Sequence, residues 1–148
     1  LADVITPNLT EAAFLLGRAY EPCSGGGDFQ RHEARLREMA EALSQSGKRS
    51  VALTGASLRE GQTGAMCFDA RTGRTEAVQA EFVAHPLHGT GDIFASVLTG
   101  GLMRGNSLEE AAGRAVEFIH DCAVRTVAQG LSLQEGVDFE PLLGELAR

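Results

Sequence analysis

Two short β-branched runs constrain the fold more than any other feature. ADVIT (Ala2–Thr6) is stopped by Pro7, and RSVALTG (Arg49–Gly55) ends in a turn at Thr54–Gly55. Runs of this length, rich in Val, Ile and Thr, read as buried strands. Between them lie two stretches with apolar residues at helical spacing. Leu9, Ala12, Ala13 and Leu16 form one stripe, and Gly17 is a natural residue to end it. Leu36, Met39, Ala40 and Leu43 form the other, inside an amphipathic helix predicted over Phe29–Ser46. Strands alternating with helices predict an α/β fold with a mostly parallel sheet flanked by helices.

The rest of the chain extends this pattern. Arg18 to Gln30 contains SGGG and reads as a surface loop. TGAMCFDA and RTEAVQAEFV read as a hairpin, with Gly73 supplying the positive φ of the tight turn RTGR. Asp92–Met103 reads as a helix that is apolar nearly all round, and so buried on most faces. Ser107 and Glu110 form a capping box that opens a long helix to about Gln129, with Leu108, Ala112, Ala115, Ile119 and Cys122 as its buried stripe. DFEPLLGELA closes the chain as a last short helix.

Composition excludes some functions. The net charge is −7 and Lys48 is the only lysine, which argues against nucleic acid or an anionic membrane as partner. A bound phosphate would have to be held by backbone amides, a metal or another segment. The three cysteines (Cys23, Cys67, Cys122) are widely spaced without a CxxC, as in a reduced cytoplasmic protein. No apolar run approaches the ~20 residues of a membrane span. The 148 residues suit one domain. The chain enters a strand directly at Leu1, so it is expected to be a truncated part of a longer protein.

Three stretches carry candidate chemistry. In HGTGDIFASVLTGG, Gly89, Thr90 and Gly91 stand at a helix start, where unpaired amides and the positive end of the helix dipole make an anion site. Asp92 follows, placed to accept a proton from a hydroxyl attacking phosphorus. An acid that only complements the dipole is the competing reading, but a plain cap needs neither glycine. In TPNLTE, Asn8 and Glu11 could organise Mg²⁺ at the carboxyl end of a strand, or could simply form an Asn variant of the capping box. In ALTGAS, Thr54 and Gly55 offer a hydroxyl and a free amide to a phosphate oxygen, or make an ordinary turn. No Walker P-loop and no GxGxxG after a strand occur, and His32, His85, His88 and His120 lack zinc spacing. His85 and His88 flank the glycine loop and could touch phosphate, although solvated loop histidines look the same. Cys67 and Cys122 lie on apolar elements and read as core thiols.

DVITPNLTEA, VALTG and HGTGDIFASVLTGGL, in this order and spacing, resemble the C-terminal half of the ribokinase-like small-molecule kinases, and above all the pyridoxal/pyridoxamine (vitamin B6) kinases. The resemblance extends through the tail QGLSLQEGVDFEPLL. It implies the C-terminal part of a ribokinase-like fold and ATP-dependent phosphorylation of the 5′-hydroxymethyl group of pyridoxal, pyridoxamine or pyridoxine, with ATP and Mg²⁺. It implies Asp92 as catalytic base, Gly89, Thr90 and Gly91 as anion hole, Asn8 and Glu11 as residues organising Mg²⁺ and phosphate, and Thr54 with Gly55 at a nucleotide phosphate. The stretch Ala77–Ala80, with Val78 and Ala80, falls on the family's nucleotide-binding strand and loop. A homodimer is implied for the full-length parent. Hydroxymethylpyrimidine kinases share TPN and the glycine loop but generally carry Cys where this chain has Asp92. Sugar kinases share GTGD but usually lack the TPN start. In such kinases the half that is not in this chain supplies most contacts to the pyridine ring, so a catalytically inactive nucleotide-binding fragment is a further alternative.

Overall fold

A computed structural model describes residues 2–19, 29–83, 87–131 and 136–147. The SGGG stretch, Cys23 and His85 lie outside the described residues. The chain divides into two compact units, Leu1–Gln79 and Ala80–Arg148.

The first unit is built on the two runs read as strands. β1 (Val4–Ile5) pairs in parallel with β2 (Ser50–Thr54), Val4 opposite Ser50 and Ile5 opposite Val51. An isolated parallel bridge, Asn8 to Thr54, extends the pairing past Pro7. β3 (Gln62–Asp69) lies antiparallel on the other side of β2, with Val51 opposite Phe68. Residues 55–61 join β2 to β3, too short a link for the crossover of a dozen or more residues that a parallel pairing needs. β4 (Arg74–Glu81) completes the order β1-β2-β3-β4. The hairpin turn carries Gly73 at φ 69°, and the Gly73 amide donates to Asp69 O at 2.8 Å. At Gly64 the neighbouring strand is so close that a Cβ would lie 1.9 Å from the Val78 carbonyl oxygen.

Helices α1 (Leu9–Leu15) and α2 (Phe29–Leu43) pack on each other and on β2. Their inward residues Ala12, Leu36, Met39 and Leu43 meet Val51, Leu53 and Met66 in one core. Full burial of each large apolar side chain contributes about 1.5–3 kcal/mol. α1 ends at Gly17, in the left-handed region at φ 63°. α2 stops at Leu43, short of the expected Ser46, because Gln45 and Ser46 are left-handed.

The second unit holds α3 (Thr90–Met103), α4 (Leu108–Ala128) and a 3-10 helix, Glu140–Ala147. The capping box at Ser107 and Glu110 is present in both directions. α3 and α4 cross closely, and a Cβ at Gly101 would fall 2.8 Å from Ala111 Cβ. The α4 stripe is broader than expected: Val116 and Phe118 are buried with Leu108, Ala112, Ala115 and Cys122, while Ile119 is half-buried.

The expectation that α3 is buried on most faces is corrected. Only Phe94, Leu98 and Gly101 are buried, and Met103 is 84% exposed. Apolar composition shows that a helix can be buried all round. How many faces are covered depends on the neighbours it has, and here α4 is the element it packs on.

Several arginines fasten backbone carbonyls: Arg37 holds Thr75, Arg49 holds Leu43, Arg104 holds Leu146 and Arg114 holds Glu145. No helix among the described residues is long and apolar enough to cross a membrane.

Candidate active site

The glycine loop and Asp92 lie in the second unit. Gly89 caps α3 in the left-handed conformation, φ 81° and ψ −5°, which L side chains adopt only with strain. No side chain among the described residues caps the helix. Its first internal backbone bond runs from the Ile93 amide to Gly89 O at 3.2 Å, so the amides of Thr90, Gly91 and Asp92 precede the ladder. A Cβ at Gly89 or Gly91 would meet nothing within 4 Å, so neither glycine is required by packing. The result is an open helix N-terminus that can receive an anion on its amides and on the helix dipole. The helix starts two residues earlier than expected, which brings Thr90 and Gly91 into its first turn.

Asp92 is exposed in that turn, and no side chain among the described residues bonds its carboxylate. Its carbonyl accepts from Ser96 Oγ at 2.8 Å. Asp92 also lines a cavity of about 780 Å³ within this unit, together with His88 and Gly89 and with the apolar Phe118, Val137 and Leu146. The wall from the tail is a feature that sequence reasoning missed. Its one signal was a glycine, Gly136, followed by the apolar Val137 after the long helix. Cys122 beneath it is a core thiol, as expected. Burial, with Asp121 and Asp138 nearby, pushes its pKa up to about 11.

Asn8, Glu11, Thr54 and Gly55 gather in the first unit, at the carboxyl ends of β1 and β2. Asn8 Oδ1 accepts from the Glu11 amide and Glu11 Oε2 accepts from the Asn8 amide, both at 2.9 Å, a complete capping box. Both residues are exposed, and Glu11 Oε1 takes no part in the cap. One free carboxylate oxygen beside an amide group is a hard oxygen set that fits Mg²⁺ held mostly by waters and phosphate. Among the described residues no cluster of three or more His, Cys, Asp or Glu forms a protein-only cage.

The Thr54 amide donates to Pro7 O at 2.9 Å and its hydroxyl donates to the same carbonyl at 3.4 Å. The next amide is that of Gly55, at φ 76°. Val78 and Ala80 sit half-buried on β4.

Residues 1–138 match the model of the phosphomethylpyrimidine kinase family. The chain belongs to the phosphomethylpyrimidine kinase family. Within it, the chain is similar to the hydroxymethylpyrimidine/phosphomethylpyrimidine kinase of Rhizobium meliloti, 32% identical over 142 residues that cover 92% of this chain and 47% of the relative. Among solved structures it is similar to a phosphomethylpyrimidine-kinase-like protein of Bacteroides thetaiotaomicron in a crystal form with pyridoxal. There the identity is 34% and the TM-score 0.86, over 99% of this chain and 50% of that one. It is also similar to the pyridoxal kinase of Lactobacillus plantarum, at 29% identity and TM-score 0.80, over 98% and 49%. The ribokinase-like α/β class expected from the sequence is thereby established. The chain spans about half the length of the curated relative it matches.

Proposed function

We propose that this chain is the ATP-binding and catalytic half of a cytoplasmic kinase that phosphorylates the 5′-hydroxymethyl group of a B6 vitamer (pyridoxal, pyridoxamine or pyridoxine). The observation that carries the reading is Asp92 in the first turn of a helix whose N-terminus is uncapped and opened by a left-handed glycine. A base and an anion cradle on consecutive residues are what transfer from a nucleotide to an alcohol requires.

In this reading the amides of Thr90, Gly91 and Asp92 hold the transferred phosphoryl group and the charge that develops on it. Asp92 accepts the proton of the acceptor hydroxyl as its oxygen bonds to the γ-phosphorus and the bond to the ADP oxygen breaks. Asn8 and Glu11 help to hold Mg²⁺, which when bound neutralises phosphate charge. The Gly55 amide, with Thr54, and the Val78–Ala80 stretch of β4 are assigned to the nucleotide. The full-length protein is read as a homodimer.

Asp92 also supports the choice of acceptor, since hydroxymethylpyrimidine kinases generally carry Cys at this point of the loop. The pyridoxal in the crystals of the Bacteroides relative agrees with it. A second reading, hydroxymethylpyrimidine as acceptor, is favoured by the name of the Rhizobium relative. A phosphorylation assay of the full-length protein against the three B6 vitamers, hydroxymethylpyrimidine and ribose tests both. Preference for hydroxymethylpyrimidine would replace the first reading with the second. Transfer to none of them would leave a nucleotide-binding fragment.

A further inference from the structure

The tail that follows α4 is fastened more firmly than a surface segment requires. Arg125 Nε donates to Asp138 Oδ2 at 2.8 Å. Gln129, with its amide turned to suit, donates to the same oxygen at 3.3 Å and accepts from Arg125 Nη2 at 2.8 Å. The Asp138 amide donates to Thr126 Oγ1 at 2.9 Å, and that hydroxyl donates to Cys122 O at 2.7 Å. Thr126 is fully buried. Asp138 is thus held through both its carboxylate and its amide, and a charge-assisted bond in a half-buried setting has a defined geometry.

The clamp has a neighbour with chemical meaning. Val137 is buried with Phe118 and Cys122, and Leu87 and Ile93 pack against that cluster. These two residues bracket His88–Asp92 in the sequence. Gly136, at φ 99°, approaches the same loop: a Cβ there would lie 3.3 Å from His88 O. Tail and glycine loop thus share one packed cluster and one backbone contact.

We propose that the Arg125–Asp138 clamp, seated on Thr126, positions the phosphate cradle by holding Gly136 and Val137 against the residues on either side of Gly89. An uncapped N-terminus has no side chain of its own to fix its first turn. The tail supplies that restraint from outside, and Asp138 and Arg125 act through it without touching substrate. This rests on the kinase reading given above only for the kinetic part of its test.

The test uses Asp138→Ala and Asp138→Asn, with Arg125→Lys as the variant that keeps the charge, in the full-length protein. Amide hydrogen exchange of Ile93, whose amide bonds Gly89 O, is expected to quicken about tenfold in Asp138→Ala, less in Arg125→Lys, with the middle of α4 unchanged. The KM for ATP is expected to rise about tenfold while the KM for the acceptor alcohol stays within twofold, a split that a loss of folded protein would not produce. Unchanged exchange and unchanged KM for ATP in a folded variant would overturn the clamp. If Asp138→Ala does not fold, Asp138→Asn and Arg125→Lys carry both measurements. If the unmodified protein transfers no phosphoryl group, the kinase reading fails, and the exchange measurement still decides the clamp.

Discussion

Asn8 and Glu11 bond each other twice, amide to side chain in each direction at 2.9 Å, so the pair closes the start of α1 without any ligand. The same pair is the proposed Mg²⁺ contact, and a substitution can separate the two roles. Glu11→Gln keeps an acceptor for the Asn8 amide and removes the charge. Stability is expected to change by less than about 0.5 kcal/mol, while the Mg²⁺ concentration needed for half-maximal ATP binding rises several-fold. Asn8→Ala breaks the cap and is expected to cost about 1 kcal/mol in denaturant unfolding. An unchanged Mg²⁺ requirement in Glu11→Gln would leave the cap as the whole role of Glu11.

Asp92→Asn keeps the shape of the first turn and removes the base. In the full-length protein kcat is expected to fall ~100-fold or more, with ATP affinity within a few-fold. Turnover close to that of the unmodified protein would remove Asp92 from proton transfer.

Gly91→Ala sets stability against binding. Gly91 lies in the helix with open space around it, so alanine is expected to stabilise by about 0.5 kcal/mol or more. In the proposed reading the added methyl group crowds the phosphoryl group held on these amides, so ATP binding by calorimetry is expected to weaken at least tenfold. Higher melting temperature with intact binding would mean that the phosphoryl group does not rest there.

Gly64→Ala has no such freedom. Its methyl carbon would meet the Val78 carbonyl, a backbone atom, at 1.9 Å. The β3–β4 pairing would have to open, at about 3 kcal/mol. Thermal unfolding of Gly64→Ala beside Gly144→Ala, which has no positive φ and meets nothing within 4 Å, separates this contact from the general effect of replacing a glycine.

His32 makes stability depend on pH. It is buried, its Nε2 has no partner among the described residues, and burial together with the Arg35 guanidinium lowers its pKa. The unfolded chain then binds a proton more readily than the folded one. Stability is complete above the unfolded value of about 6.5 and is lost as pH falls below it toward the folded pKa. Denaturant unfolding at pH 7.5 and 5.5 should show this loss, and His32→Leu should shrink it. An equal loss in both proteins would place the pH dependence elsewhere.

What the sequence made legible was local. Ser107 with Glu110, Gly17 and Gly73 could be read because a cap or a turn is fixed by neighbours within a few residues. The open N-terminus at Gly89 belongs to the same class. Contacts across the chain were not legible. The Thr54 hydroxyl reads as available to a ligand until Pro7, 47 positions away, is seen beside it. Asp138 looks like an ordinary tail acid until the chain returns along α4 to Arg125 and Thr126. The exposed side of α3, ending in Met103, has the same cause: apolar spacing states what a face can bury, and the partner that buries it is given by tertiary structure.

The excess of carboxylates over arginines bears on how a nucleotide would arrive. Arg37, Arg49, Arg104 and Arg114 keep their full charge when they bond neutral carbonyls, but the net charge of −7 leaves an approaching polyanion with no long-range pull from the chain as a whole. Capture then depends on short-range contact with amide dipoles, against a mildly repulsive field. Salt that shortens the Debye length from ~30 Å at 0.01 M to ~8 Å at 0.15 M weakens that repulsion. For this chain the encounter rate with a nucleotide is therefore expected to rise with ionic strength, the reverse of a site lined by cations, and stopped-flow mixing at the two salt concentrations checks it.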